Sequence, residues 1–370
     1  MSLDLTHLRQ FALRRQFPTP TTLGRALRRL GFVQADPIRA PARAQDLTLR
    51  HRVADYTVGD VEKHYPRLPI EEDVFVNYGL VTRELQALMH PRIPRSTWTL
   101  SQRKRAASIL DFVRERGSVH PRDVEEQFAH GSATNWFGGR SNVSTQLLDG
   151  MLMRGMLRVA RREGGTRVYA IRPPNDAPVD VAAAMDTMMD VIVAKYAPIS
   201  KTSLHKLAGH LCMMGVPHWR DQRGAMLARA KRRLPTAHIE GTDWFWPSGE
   251  SPAARQTTVP DVVRLLAPFD PFVWDRGRFA LFNQWEYRFE AYTPAAKRVR
   301  GYYALPLLWR DKVIGWGNLA VRDATLRASL GYVSGTAPRD RAFRSALDAE
   351  LARLAAFMRA TQVESAAEVA

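Results

Sequence analysis

Two residues near the start of the chain could do chemistry together. Gln34 and Asp36 sit two apart in Phe32-Val33-Gln34-Ala35-Asp36-Pro37-Ile38, and Pro37 biases Asp36 toward extended backbone. In extended chain, side chains two apart project from one face, which puts the amide and the carboxylate on the same side and Ala35 on the other. A carboxylate can take a proton or stabilise a positive charge, and an amide can orient a reactant. Arginines surround the pair: Arg39, Arg43, Arg50 and Arg52. Spacing alone favours a plainer reading, a strand-end amide with Asp36 in an Asx-type turn before Pro37.

Other chemistries find no foothold. The sequence has no GxxxxGK[ST], HExxH, GxSxG or GxGxxG. Its single cysteine, Cys212, rules out a disulfide within the chain and a cysteine zinc site, and fits a reducing cytoplasm. His205 and His210 are too far apart to ligate a metal from one helical face, so no metal and no cofactor are expected. The opening MSLDLTHLRQFALRRQF lacks the apolar core of an export signal, and no apolar run approaches a membrane span.

The elements that must position Gln34 and Asp36 fall into four expected regions. In residues 1–95, Thr21 or Thr22 can cap a helix through LGRALRRL that Gly31 stops, ahead of the strand or extended loop carrying the pair. Residues 96–175 have the pattern of a winged helix. A helix over Arg103 to Arg116 and a short one from Pro121 precede a recognition helix from Ser141 through Met156. A hairpin then turns at Glu163-Gly164-Gly165. After a linker at Pro173-Pro174-Asn175-Asp176, residues 176–255 repeat helices and a Gly-turned hairpin, the plan of a degenerate second winged helix. In residues 256–370, Glu286 to Tyr292, Gly301 to Arg310, Lys312 to Val321 and Leu326 to Val333 read as strands of an antiparallel sheet or small barrel, closed by an amphipathic helix. The expected class is therefore α+β, with tandem winged helices ahead of a β-domain.

Charge suggests the partner. Of 370 residues, 54 are Lys or Arg against 37 Asp or Glu, a net +17 that points to a polyanion. Codon usage can exchange Lys for Arg, but it does not readily explain the surplus over acids. The excess collects around Gln34 and Asp36 and on the hairpin, where Arg161, Arg162 and Arg167 could follow phosphates. Winged helices also mediate protein contacts, and hairpin charge is often only solvated.

Two separated stretches carry a family likeness. Val33-Gln34-Ala35-Asp36-Pro37-Ile38, continuing through Ala42 to Arg52 and Asp55-Tyr56, resembles the signature of the AlkZ/YcaQ family of bacterial winged-helix DNA glycosylases. Pro268-Phe269-Asp270, Trp274-Asp275-Arg276, Tyr287 to Tyr292 and Arg300-Gly301-Tyr302-Tyr303-Ala304-Leu305-Pro306 resemble that family's C-terminal β-domain. The resemblance implies monofunctional excision of alkylated purines from double-stranded DNA, including interstrand crosslinks. It further implies no metal or cofactor, and a cytoplasmic, nucleoid-associated monomer is expected. Family members carry Gln-x-Gln or Gln-x-Asp at the catalytic position, and this chain has the second form. Asp36 would then be general base or electrostatic stabiliser, and Gln34 would hold the water. The arginines would counter phosphate repulsion. Where many members have an aromatic-plus-His stretch, this chain reads Val74-Phe75-Val76-Asn77-Tyr78-Gly79. Asn77 and Tyr78 are thus equally lesion contacts or core and cap residues. The rival reading from another class is a non-catalytic winged-helix DNA-binding or regulatory protein. It gains if Asp36 is locked in a buried salt bridge.

Overall fold

Elements form where sequence supplies both a cap and a buried stripe. The computed structural model describes residues 3–93, 96–129, 131–134, 140–174, 179–254 and 258–367, so Asn175 and Asp176 of the expected linker lie outside the described residues. The chain divides into two compact units. One comprises Met1–Asp60, Met189–Lys206 and Arg229–Ala370, and the other Val61–Met188 and Leu207–Ala228. This division cuts across the four consecutive blocks 1–95, 96–175, 176–255 and 256–370, because the N-terminal helix shares a core with the C-terminal region.

In the first unit, Asp4 caps helix Leu5–Gln16, whose buried Leu8, Phe11 and Leu13 join Trp244, Phe272, Phe279, Phe282 and Leu308 in one apolar cluster. Helix Leu23–Leu30 stops at Gly31 as its sequence predicts, and strand Phe32–Gln34 follows, fully buried. Strands Val263–Leu265, Leu305–Trp309, Lys312–Arg322 and Thr325–Tyr332 pair antiparallel in sequence order. Helix Arg341–Met358 then carries the chain across to Gln362–Ala367, which pairs parallel to Thr325–Tyr332. The sheet is thus mixed where an antiparallel one was expected.

One further expectation needs correction here. Glu286 to Tyr292 is not a strand: its aromatic alternation serves packing, with Tyr287 3% exposed, and not a hydrogen-bond ladder. Two short helices, Pro271–Trp274 and Arg276–Asn283, precede it, capped by Asp270 and Asp275 accepting from the Phe272 and Arg278 amides.

The second unit opens with hairpin Ile70–Val74 and Tyr78–Thr82. A Thr99 and Gln102 capping box starts helix Leu100–Arg116, and Gly117, at φ 73°, ends it. Strand Ser118–Val119, helices Pro121–Phe128 and Val143–Met153, and hairpin Leu157–Glu163 with Thr166–Ile171 follow. Val119 pairs with Tyr169 of the second hairpin strand. Gly164 and Gly165 both take positive φ, 55° and 88°, as the tight turn needs.

The same order of elements recurs downstream. Strand Ile199–Ser200 follows helix Val181–Tyr196 and pairs with Phe245 and Trp244, the second strand of hairpin Thr236–Ile239 and Thr242–Phe245. Helices Lys201–Met214 and Arg223–Arg233 lie between in sequence, and Glu240-Gly241 repeats the two positive φ values, 49° and 70°.

Candidate active site

Asp36 lies just past the strand that ends at Gln34, so a turn and not the ladder holds it. Its Oδ1 accepts the Ile38 amide at 2.9 Å, the Asx turn that Pro37 suggested, and its own N–H donates to Gln45 Oε1 at 3.3 Å. Gln45 belongs to helix Ala44–Leu49, which Asp46 anchors by accepting from the Tyr56 hydroxyl at 2.6 Å and the Gly59 amide at 3.2 Å. Asp36 is half-buried and has no ion-pair partner among the described residues. Burial therefore raises its pKa above the ordinary 3.8, and the Ile38 hydrogen bond only partly opposes this. Gln34 is buried at 7% exposure, and its Oε1 has no hydrogen-bond partner among the described residues.

Two tyrosines distant in sequence, Tyr292 and Tyr303, lie within electrostatic reach of this carboxylate. Burial first, then the charge on Asp36, raises the pKa of both Tyr292 and Tyr303. Their loop is tightly held. The Val299 amide donates to both oxygens of buried Glu290 at 3.1 Å, the Arg300 amide donates to Oε2 at 2.8 Å, and Asn318 Nδ2 donates to the Arg300 carbonyl at 2.7 Å. Gly301 sits at φ 114°, where a Cβ would lie 2.4 Å from Asn318 Oδ1, so no larger residue fits. The Tyr287 hydroxyl donates to the Ala304 carbonyl at 2.7 Å. Phe289 packs edge-on against Tyr303 at 5.3 Å and Tyr292 at 6.0 Å. Tyr303 is buried with an unpartnered hydroxyl, while Tyr292 is 80% exposed. Arg300-Gly301-Tyr302-Tyr303 was legible as a family stretch but not as part of a site. Its signal was a pair of tyrosines directly after a glycine.

The arginines around the motif divide. Arg52 is buried and grips buried Asp270 with two hydrogen bonds of 2.8 and 3.1 Å. Arg50 pairs with Glu350, donates to the Leu265 carbonyl at 2.8 Å and stacks over Phe357 at 5.8 Å. Both guanidinium groups are engaged in internal contacts. Arg43 is half-buried directly before helix Ala44–Leu49. Arg39 is exposed and has no ion-pair partner among the described residues.

The second unit holds the remaining candidates, and there too acids claim most of the charge. Arg162 grips buried Glu72 through two 2.6 Å hydrogen bonds, and Arg167 donates to Asp149 at 2.7 Å while stacking 4.6 Å over the Tyr78 ring. The Tyr78 hydroxyl donates to Glu72 as well. Burial pushes the Glu72 pKa up, but Arg162, Tyr78 and Arg167 outweigh it and hold the carboxylate below its ordinary range. Tyr78 is thus tied into this network. Asn77 is exposed at the hairpin turn, its Oδ1 accepting the Tyr78 amide at 2.8 Å. Arg161 pairs with Glu163 at 2.7 Å, and both are about half exposed.

Among the described residues there is no cluster of three or more metal-ligating side chains, and no helix is long and apolar enough to cross a membrane. The family model for AlkZ-like DNA glycosylases matches residues 27–357. Among solved structures, the Streptomyces sahachiroi DNA glycosylase AlkZ is similar in fold, with a TM-score of 0.62 at 14% identity over 100% of both chains.

Proposed function

The chain belongs to the AlkZ-like DNA glycosylase family, hydrolases that act on N-glycosyl bonds in DNA, and we propose that it excises N7-alkylated purines, crosslinked ones included, with Asp36 as its reaction centre. The observation that carries this reading is Asp36 itself, a half-buried carboxylate with no ion-pair partner among the described residues, within electrostatic reach of tyrosines. A purine alkylated at N7 is already cationic and leaves without a general acid, so the two carboxylates of a sugar-cleaving glycosidase are not needed. One carboxylate serves two steps. It stabilises positive charge as the sugar becomes oxocarbenium-like, then takes the proton of the attacking water. Gln34 Oε1, which has no hydrogen-bond partner among the described residues, would accept that water's other O–H. Exposed Tyr292 offers a π-face to the cationic base.

The two runs of helix, strand, helix, helix and hairpin fit tandem winged helices on duplex DNA. Arg39 and Arg161 are the exposed members of the expected phosphate contacts.

Purified protein incubated with a duplex carrying one N7-methylguanine, and with a nitrogen-mustard crosslinked duplex, tests the reading. Free alkylated base should appear from both, with the backbone intact until alkali treatment. No base release from any alkylated duplex would overturn it.

A further inference from the structure

Away from Asp36, the first unit contains a second recess, a cavity of about 720 Å³ lined by Arg50, His51, Tyr56, Arg264, Arg353 and Phe357 among others. Its charges are unevenly matched. Glu350, fully buried, takes Arg50 on one oxygen and Arg353 on the other at 3.0 Å, and also accepts the Leu265 amide at 2.8 Å. That carboxylate is fully committed. Arg264 has no ion-pair partner among the described residues: its guanidinium rests 4.8 Å from the Phe17 ring centroid. Burial lowers its pKa to about 10. Glu350 opposes this, but Arg353, Arg52 and Arg50 push the same way as burial. The acid remaining on the lining is Asp55, which is exposed. His51 has its Nε2 3.1 Å from the Leu265 carbonyl, and burial with the neighbouring arginines keeps the ring neutral.

A half-buried guanidinium with no ion-pair partner among the described residues, its nearby acid Glu350 already committed to Arg50 and Arg353, gains from an anion entering the recess through charge-assisted hydrogen bonds. The volume lies in the range of small-ligand sites. One wall is apolar, formed by Tyr56 and Phe357, which stack on each other at 6.2 Å and 18°. The floor is recessed, since Arg50 is only 4% exposed, which disfavours a duplex backbone and favours a small molecule.

We propose that this cavity binds a small phosphate-bearing ligand of the nucleoside monophosphate class, its phosphate on Arg264 and Arg353 and its ring against the apolar wall. The site is separate from the chemistry assigned to Asp36, and its test does not depend on base release.

Calorimetric titration of the full chain with adenosine 5′-monophosphate, adenosine and inorganic phosphate decides it. The monophosphate should bind saturably at one site, with adenosine and inorganic phosphate each weaker by about tenfold or more. Arg264→Gln and Arg353→Gln should each weaken the monophosphate by about tenfold or more, with the unliganded unfolding temperature measured alongside. If Arg264→Gln fails to fold, Arg353→Gln carries the test, because that side chain is 51% exposed. Absence of saturable binding at millimolar monophosphate would overturn the proposal. So would affinity unchanged in the folded variants, or an Arg264→Gln defect confined to duplex DNA.

Discussion

Burial and, after it, the charge on Asp36 raise the pKa of the Tyr303 phenol, a residue 267 positions away in sequence and itself buried with no hydrogen-bond partner for its hydroxyl among the described residues. A half-buried carboxylate and a buried phenol thereby lie within electrostatic reach of each other, and no described cation pairs with the carboxylate. Such an arrangement is unfavourable at rest and favourable once positive charge develops nearby.

Activity should follow the ionisation of Asp36. Burial raises its folded pKa above 3.8, so base release should fall as pH drops through a value higher than an ordinary aspartate's. Stability has the opposite sign. A group whose folded pKa exceeds its unfolded one contributes stability fully present below the unfolded pKa and lost as pH rises through the folded pKa. Asp36→Asn should consequently unfold at the same or a higher temperature than wild type at pH 7, while Asn still accepts the Ile38 amide. Thermal scans across pH check this, and a clearly less stable variant would count against it.

Arg52 and Arg39 should separate cleanly. Arg52→Ala leaves buried Asp270 uncompensated and should cost about 3–5 kcal/mol in chemical denaturation. Arg39→Ala should leave stability unchanged. Instead it should lower the slope of log affinity against log salt for duplex DNA by about one.

Tyr292→Ala should slow excision of a cationic purine by about tenfold to a hundredfold, the worth of one stacked base, while Tyr292→Phe keeps most activity. Equal losses in the two variants would assign the effect to the hydroxyl and not to the ring.

How much of this was legible depends on how local the determinants are. The Gly164-Gly165 turn and the Gly31 stop are written in adjacent residues, and both stand where the sequence placed them. The turn after Gln34 was legible too: the Ile38 hydrogen bond holds the Asp36 carboxylate in the Asx turn that Pro37 suggested, a contact the proposed chemistry does not oppose. The roles of Arg50 and Arg52 were not legible, because Glu350 and Asp270 lie 300 and 218 residues away and local charge counts cannot see them. Tyr303 was missed for the same reason. Glu286 to Tyr292 misled because aromatic alternation looks alike in a strand and in a packed loop.

Lys195 should leave a pH signature in stability. Burial first, with Arg52 adding and Asp270 opposing, lowers its pKa to about 7 from 10.5. Between those values the unfolded chain holds a proton that the folded chain has lost, so stability should rise with pH across that window. Lys195→Met should flatten the rise between pH 7 and about 10. A Met variant with the wild-type slope would contradict it.

The most direct test of the central claim is single-turnover base release from an N7-methylguanine duplex by wild type and Asp36→Asn, with duplex affinity measured in parallel. A carboxylate that both stabilises the sugar cation and activates water predicts release slowed by about 100-fold to 10,000-fold with affinity unchanged. Release by Asp36→Asn within about threefold of wild type, far inside the range expected for a lost catalytic base, would contradict it.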